Sequence, residues 1–313
     1  MRTLVTGGAG FIGSNLVDAL LDAGHEVVVL DNLTSGKKAN LEGAFARPAH
    51  PAILEVEDIR EGERVREIFA RHRPEWVFHL AAQMDVRVSL EDPAFDAQTN
   101  VEGTVNILEA SRLHGVQRLV FASTGGAIYG DTDVVPTPES VECLPMSAYG
   151  QSKFCGERYL GLYQRLYGLS SVALRFGNVY GPRQDPHGEA GVIAIFCGKL
   201  KEGERPKIFG TGEQTRDYIY VGDLVEAIIA AAGSDALDPI NLGTEEETSV
   251  LDLVRILTQV SGVGGEPEFA PARLGELDRS CLAVTRAGDA LGWKPATAIA
   301  DGLEKTWAST PDR

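Results

Sequence analysis

The sequence predicts an α/β protein, a doubly wound parallel sheet with a smaller mixed α/β C-terminal domain. Three observations predict it. A strand, a glycine-rich turn, a helix, a second strand and an acid follow one another within residues 2–31. Apolar strands and amphipathic helices then alternate to about residue 175. Beyond it the alternation breaks into polar loops, short strands and isolated helices.

With 313 residues the chain can bury one large α/β core or two smaller ones. A hydrophobic share of 43% and a charged share of 24% are those of a globular enzyme. The net charge of −16 argues against a general nucleic-acid or membrane-surface binder, so an anionic ligand needs a local Arg or Lys cluster. Cys143, Cys155, Cys197 and Cys281 are scattered, which reads as free thiols in a reducing, cytoplasmic setting. The six His are dispersed, and no metal site is expected. No leader is read at the N-terminus, and no apolar run is long enough to span a bilayer.

Arg2–Thr6 reads as a buried strand leading into Gly7-Gly8-Ala9-Gly10-Phe11-Ile12-Gly13. Ile12, Leu16, Ala19, Leu20 and Ala23 repeat at helical spacing until Gly24 stops the helix. Glu26–Leu30 is a second strand ending at Asp31. Glycines in such a turn let the backbone approach a pyrophosphate at the positive helix N-terminus. Asp31 is placed to accept the adenosine ribose hydroxyls and to repel a 2′-phosphate, so NAD is favoured over NADP. Lys37 and Lys38 weaken that preference slightly.

A third strand is expected over 53–56, a charged helix over 61–73, and a fourth strand over 76–80, ending in Ala81-Ala82-Gln83. Small residues there let a cofactor lie against the switch point of the sheet. Residues 93–114 read as one long helix containing Asn100, either a surface amide or a support for a site. A fifth strand over 118–122 delivers Ser123-Thr124-Gly125-Gly126 to the sheet edge. Tyr149 and Lys153, four residues apart, share one helix face. A phenol titrates near pH ~10, and an ammonium one turn away lowers that value, giving a proton acceptor that needs no metal. A hydroxyl from Thr124, with Ser123 as the second candidate, completes a Ser/Thr–Tyr–Lys constellation. The same helix carries Phe154, Tyr159, Leu162, Tyr163, Leu166 and Tyr167 on more than one face. That excess suits either burial within one subunit or a homodimer through helices 93–114 and 149–167.

The spacing of Gly7, Gly10 and Gly13, with Tyr149-x-x-x-Lys153 downstream, resembles the short-chain dehydrogenase/reductase superfamily. Thr6 to Gly13 resembles its extended branch, which acts mainly on nucleotide sugars. From Asn178 through Thr215-Arg216-Asp217 to Arg273-Leu274-Gly275-Glu276, the later motifs resemble bacterial UDP-glucose 4-epimerases in order and spacing. The resemblance covers essentially the whole chain. It implies a Rossmann-type domain over 1–175 plus about 217–245, and a nucleotide-sugar domain over about 176–216 and 246–313. It implies Thr124, Tyr149 and Lys153 as catalytic residues. It implies NAD contacts from Gly7, Gly10, Phe11, Ile12, Gly13, Asp31, Asn32, Ser35, Gly36, Asp58, Ile59, Leu80, Ala81, Ala82, Gln83, Asn100, Ser123, Tyr149, Lys153 and Phe176. Thr124, Asn178, Val192, Ile208, Phe209, Arg216, Arg273, Glu276 and Ser280 are implied on the UDP-sugar side.

Two guanidiniums can clamp a diphosphate, which is the local positive patch an acidic protein needs. Glu276 stands where the resembling family usually has Asp, and Phe176 where many members have Tyr. The resembling 4,6-dehydratases carry Asp-Glu after the Thr; Gly125-Gly126 leaves no acid there for elimination. The implied reaction is inversion at C4 of a UDP-hexose through a transient 4-keto sugar. Sister activities on UDP-N-acetylglucosamine or UDP-glucuronate stay open. A non-catalytic NAD-binding protein would be expected to lose Tyr149 or Lys153, and both are present.

Overall fold

The computed structural model describes residues 1–186, 191–263, 266–272 and 277–311. Its strands, in chain order, are β1 Arg2–Thr6, β2 Glu26–Leu30, β3 Ile53–Glu55, β4 Trp76–His79, β5 Arg118–Thr124, β6 Ser171–Phe176 and β7 Asn178–Tyr180. Then come β8 Lys207–Phe209, β9 Thr215–Arg216, β10 Tyr218–Tyr220, β11 Ile240–Leu242, β12 Thr248–Ser249, β13 Glu268–Ala270 and β14 Arg279–Ser280. Seven of them form one sheet in the order β11-β6-β5-β4-β1-β2-β3, every neighbouring pair parallel. The winding reverses between β1 and β4, and a crevice opens there at the carboxyl ends of the strands.

Alternation along the strands sorts the core into two layers. Val5, Val27, Val29, Phe78 and Val120 face one side, packed with Leu16 and Leu20 of helix Phe11–Asp22 and Leu224 and Ile228 of helix Val221–Ala232. Leu4, Val28, Leu30, Val77 and Phe121 face the other. There they meet Phe69 of helix Gly62–His72, Ile107 of helix Gly103–His114 and Leu160 of helix Ala148–Tyr167. With both faces covered, strands read as unbroken apolar runs. A further cluster lies in the C-terminal part, where Phe196, Ile208, Leu253, Leu257 and Leu303 pack together.

Two expected elements change. β5 runs two residues further than expected, because Ser123 and Thr124 stay paired with Arg175 and Phe176 of β6. The single helix over 93–114 is instead Pro93–Ala97, a wider π turn over Gln98–Glu102, and Gly103–His114. π turns inside helices are rare and frequently lie at functional sites. This one carries Asn100.

Candidate active site

The glycine turn is built for close approach. Gly7 has φ +69°, and a Cβ on it would lie 2.8 Å from the Ala81 nitrogen. A Cβ on Gly13 would lie 2.1 Å from the Gly7 carbonyl oxygen, so the first helical turn is pressed onto the loop. Gly10 is the N-cap of helix Phe11–Asp22 and gives no side-chain cap, and the first turn holds no acid. Orphan N–H groups of that turn, from Phe11, Ile12 and Gly13, suit a pyrophosphate. The cradle fits a dinucleotide.

Asp31 directly follows β2, next to this turn, and is 6% exposed. Its carboxylate accepts N–H bonds from Ala9 at 2.9 Å and Leu33 at 2.8 Å. Burial pushes its titration up, and those two N–H groups pull against that. Gly36 lies against it: a Cβ there would come within 2.7 Å of Asp31 Oδ1. Ser35, next in the loop, is exposed. Lys37 is paired with Asp185, so that ammonium is engaged elsewhere than at a ribose phosphate. Asn32 donates to Asp58 at 2.9 Å, and Arg60 grips the same carboxylate with Nε at 3.0 Å and Nη2 at 2.9 Å. The Arg60 bonds hold Asp58 down to about 2. Ile59 is buried against Gly103.

At the end of β4, the Leu80 and Ala81 N–H groups both donate to Thr6 Oγ1 at 3.1 Å. Thr6 Oγ1 also lies 2.7 Å from His79 Nδ1. A hydroxyl accepting twice has its proton left to give, so His79 Nδ1 accepts and its Nε2 donates to Thr104 Oγ1 at 3.0 Å. Burial, with the Lys153 charge behind it, pulls His79 down to about 3, which agrees with a neutral ring. Half-buried Ala82 leads to Gln83. Asn100 is 2% exposed, so it is no surface amide. Its Oδ1 accepts from the Gln83 N–H at 2.9 Å, and its Nδ2 donates to the Gln83 carbonyl at 2.8 Å and to Ser152 Oγ at 3.2 Å.

Ser147 caps the Tyr149 helix by accepting the Gly150 N–H at 3.1 Å. Lys153 is 3% exposed and donates to the Ala122 carbonyl at 2.9 Å, two residues before Thr124. Its Nζ lies 4.9 Å from the Phe121 ring centroid and 6.0 Å from that of half-buried Tyr149. Burial pulls Lys153 down to about 8, and the charge of Asp96 pushes back up. β alternation then separates the two hydroxyls. Ser123 Oγ donates to Glu157 Oε1 at 2.6 Å on the buried side of β5. The Thr124 hydroxyl has no hydrogen-bond partner among the described residues. Thr124 therefore keeps a hydroxyl to offer at the strand end, and Ser123 is committed to the scaffold. Phe176, buried, sits beside Thr124 in register.

Among the residues expected on the UDP-sugar side, the Asn178 N–H donates to the Asp217 carbonyl at 2.7 Å. β14 pairs with β9 so that Ser280 lies beside Arg216. Phe209 and Val192 are half-buried at the ends of β8 and helix Val192–Lys201. Ile208 is corrected: at 1% exposure its side chain belongs to the C-terminal core rather than to a ligand surface. Arg273 and Glu276 lie outside the described residues.

Three groups were not read from the sequence. Asp217 is 1% exposed and collects the Thr244 N–H and Oγ1 at 2.7 Å each and the Leu282 N–H at 3.1 Å. Glu157 and Arg175 form a buried bidentate pair at 2.9 and 2.7 Å, and Arg175 Nη1 donates to Tyr129 at 2.8 Å. Asp96 lies behind Asn100. Glu157 could have been seen, since it continues the Tyr149, Lys153 face by one more turn.

A model of the NAD dependent epimerase/dehydratase family matches residues 3–243. The chain is 48% identical to a UDP-glucose 4-epimerase of Mycolicibacterium smegmatis, over 98% of this chain and 97% of that one. It is similar to a Thermotoga maritima UDP-glucose 4-epimerase solved with UDP-glucose: TM-score 0.95, 45% identity, 99% of this chain and 98% of that one. A Thermus thermophilus UDP-glucose 4-epimerase solved with NAD gives a TM-score of 0.91 at 43% identity, with 99% of each chain covered.

Proposed function

The chain belongs to the NAD dependent epimerase/dehydratase family, and from that premise we propose that it inverts C4 of a UDP-hexose, interconverting UDP-glucose and UDP-galactose. The observation that carries this reading is Tyr149 one helical turn from a buried Lys153, with the Thr124 hydroxyl at the adjoining strand end. The Gly7–Gly13 turn, Asp31 and the Leu80–Gln83 edge would hold NAD. When bound, that cofactor supplies the acceptor and donor of the C4 hydride. Tyr149 takes the proton of the sugar 4-hydroxyl, the Lys153 ammonium favours the phenolate, and Thr124 orients the oxygen. A 4-keto sugar turns over in the pocket, and the same phenol returns the proton. Gly125-Gly126 offers no acid for water elimination, which supports epimerisation over dehydration.

Ser280 beside Arg216 supports a wider substrate range. In the resembling family the wall seven positions after the Arg273 equivalent lies beside C2 of the sugar, and Ser has little volume with which to exclude an acetamido group. UDP-N-acetylglucosamine or UDP-glucuronate is the second reading. Incubating the purified protein, without added cofactor, with UDP-glucose, UDP-N-acetylglucosamine and UDP-glucuronate and reading products by NMR tests both. Absence of UDP-galactose from the first incubation rejects the main reading.

We propose that residues 1–175 with about 217–245 hold the cofactor, supported by β11 joining the main sheet, and that the remainder holds the UDP-sugar. Arg216, with Arg273 and Glu276, is proposed to bind the nucleotide. A homodimer is proposed through the surface that carries Leu113, Tyr159, Leu166 and Tyr167, each more than a third exposed; a monomer by light scattering rejects it. Among the described residues no helix is long and apolar enough to cross a membrane. The free thiols support a cytoplasmic setting.

A further inference from the structure

Helix Pro93–Ala97 places a carboxylate behind the Tyr149 helix, against which it packs. Asp96 is 0% exposed. Its Oδ1 accepts from Asn100 Nδ2 at 3.0 Å and Gln83 Nε2 at 3.1 Å. Its Oδ2 is buried with no hydrogen-bond partner among the described residues. Asn100 Nδ2 reaches across to Ser152, the residue before Lys153. A carboxylate left half-bonded in the interior is costly, and a nearby cation is what makes it tolerable.

We propose that Asp96 is a positioning residue for the Tyr149–Lys153 pair: it orients Asn100 and Gln83 and supplies the negative charge that keeps buried Lys153 an ammonium. The other groups around Lys153 do not serve. His79 on β4 is neutral, as its hydrogen bonds require. Phe121 and the Ala122 carbonyl on β5 carry no charge. Glu157, one turn further along the same helix, is taken by Arg175 and Ser123. Tyr149, the remaining neighbour, is the group that Lys153 must serve. Asp96, on a helix packed against that of Lys153 and joined to it through Asn100 and Ser152, is the carboxylate left to offset the burial of Lys153. The inference rests on Tyr149 and Lys153 being the acid–base pair.

The test is Asp96→Asn, which keeps the shape and the acceptor for Asn100 and Gln83 and removes the charge. Losing a nearby anion disfavours the ammonium, so Lys153 gives up its proton at lower pH. The alkaline limb of the kcat profile should move down by about one unit, with KM for the UDP-sugar little changed. Carbon NMR of the Lys153 side chain should show the same downward shift, whatever the substrate proves to be. Bound NAD and Tm serve as folding controls. If Asp96→Asn is too unstable to assay, Asp96→Ser is read the same way. An even loss of rate at every pH, with Lys153 titrating as in the wild type, overturns the proposal. A wild type without epimerase activity would instead overturn the function while leaving the NMR comparison valid.

Discussion

In the proposed mechanism Tyr149 carries the proton step alone, so Tyr149→Phe removes one oxygen and little else. Turnover should fall by at least ~10²–10⁴-fold, while NAD content and UDP affinity by calorimetry stay as in the wild type. A variant keeping most of its rate places the base elsewhere. At Ser280, beside Arg216, Ser280→Tyr should lower kcat/KM for UDP-N-acetylglucosamine by roughly tenfold or more, the scale of a steric difference of a few groups, and spare UDP-glucose. Equal losses on both sugars would show that the wall lies elsewhere. The residues of this site differ in how far the sequence disclosed them. Tyr149 and Lys153 are four apart on one helix, a local relation that spacing reveals. Ser123 and Thr124 could not be separated, because the choice depends on where β5 ends and which face meets Glu157, 34 residues away. Asp217 was passed over because its partners, Thr244 and Leu282, come from segments 27 and 65 residues distant.

Among the elements, the first strand–turn–helix was fully legible, since glycines, apolar spacing and the closing acid lie within residues 2–31. Its packing gives a sharp prediction. Gly13→Ala puts a methyl 2.1 Å from the Gly7 carbonyl, and the backbone must part to admit it. The variant should lose bound NAD on purification and about 1–3 kcal/mol of stability in urea unfolding, the usual range for overpacking. Gly24→Ala, where the Cβ meets nothing within 4 Å and only the φ of +78° is unfavourable, should keep its NAD. Equal NAD loss in both would mean that the tight cradle is not what holds the cofactor. The π turn at Gln98–Glu102 was not legible. Its residues have ordinary helical spacing, and the turn accompanies a contact 17 residues away in the chain, that of Asn100 with the Gln83 backbone.

At the scale of the whole molecule, one buried network ties β5 to the proposed sugar side. Ser123 bonds Glu157, Glu157 grips Arg175, Arg175 reaches Tyr129, and Tyr129 donates to Asn241 at 2.7 Å. Asn241 Nδ2 then donates to the carbonyls of Thr137 and Ala283, three residues past Ser280. Arg175 and Glu157 are 5% and 4% exposed, so Glu157→Gln leaves a guanidinium buried without its anion. Urea unfolding at matched NAD saturation should show a loss of roughly 3–5 kcal/mol; a loss below ~1 kcal/mol would mean the pair is solvated. The strand end that carries Thr124 and the segment that follows Ser280 are thus held in one frame, as the proposed hydride transfer out and back on a single sugar requires. The most direct measurement follows deuterium: UDP-glucose labelled at C4 is converted by the purified protein, with no cofactor added, and the product is read by NMR. UDP-galactose should appear with the deuterium still on C4. Product carrying solvent hydrogen at C4, or no UDP-galactose at all, would contradict it.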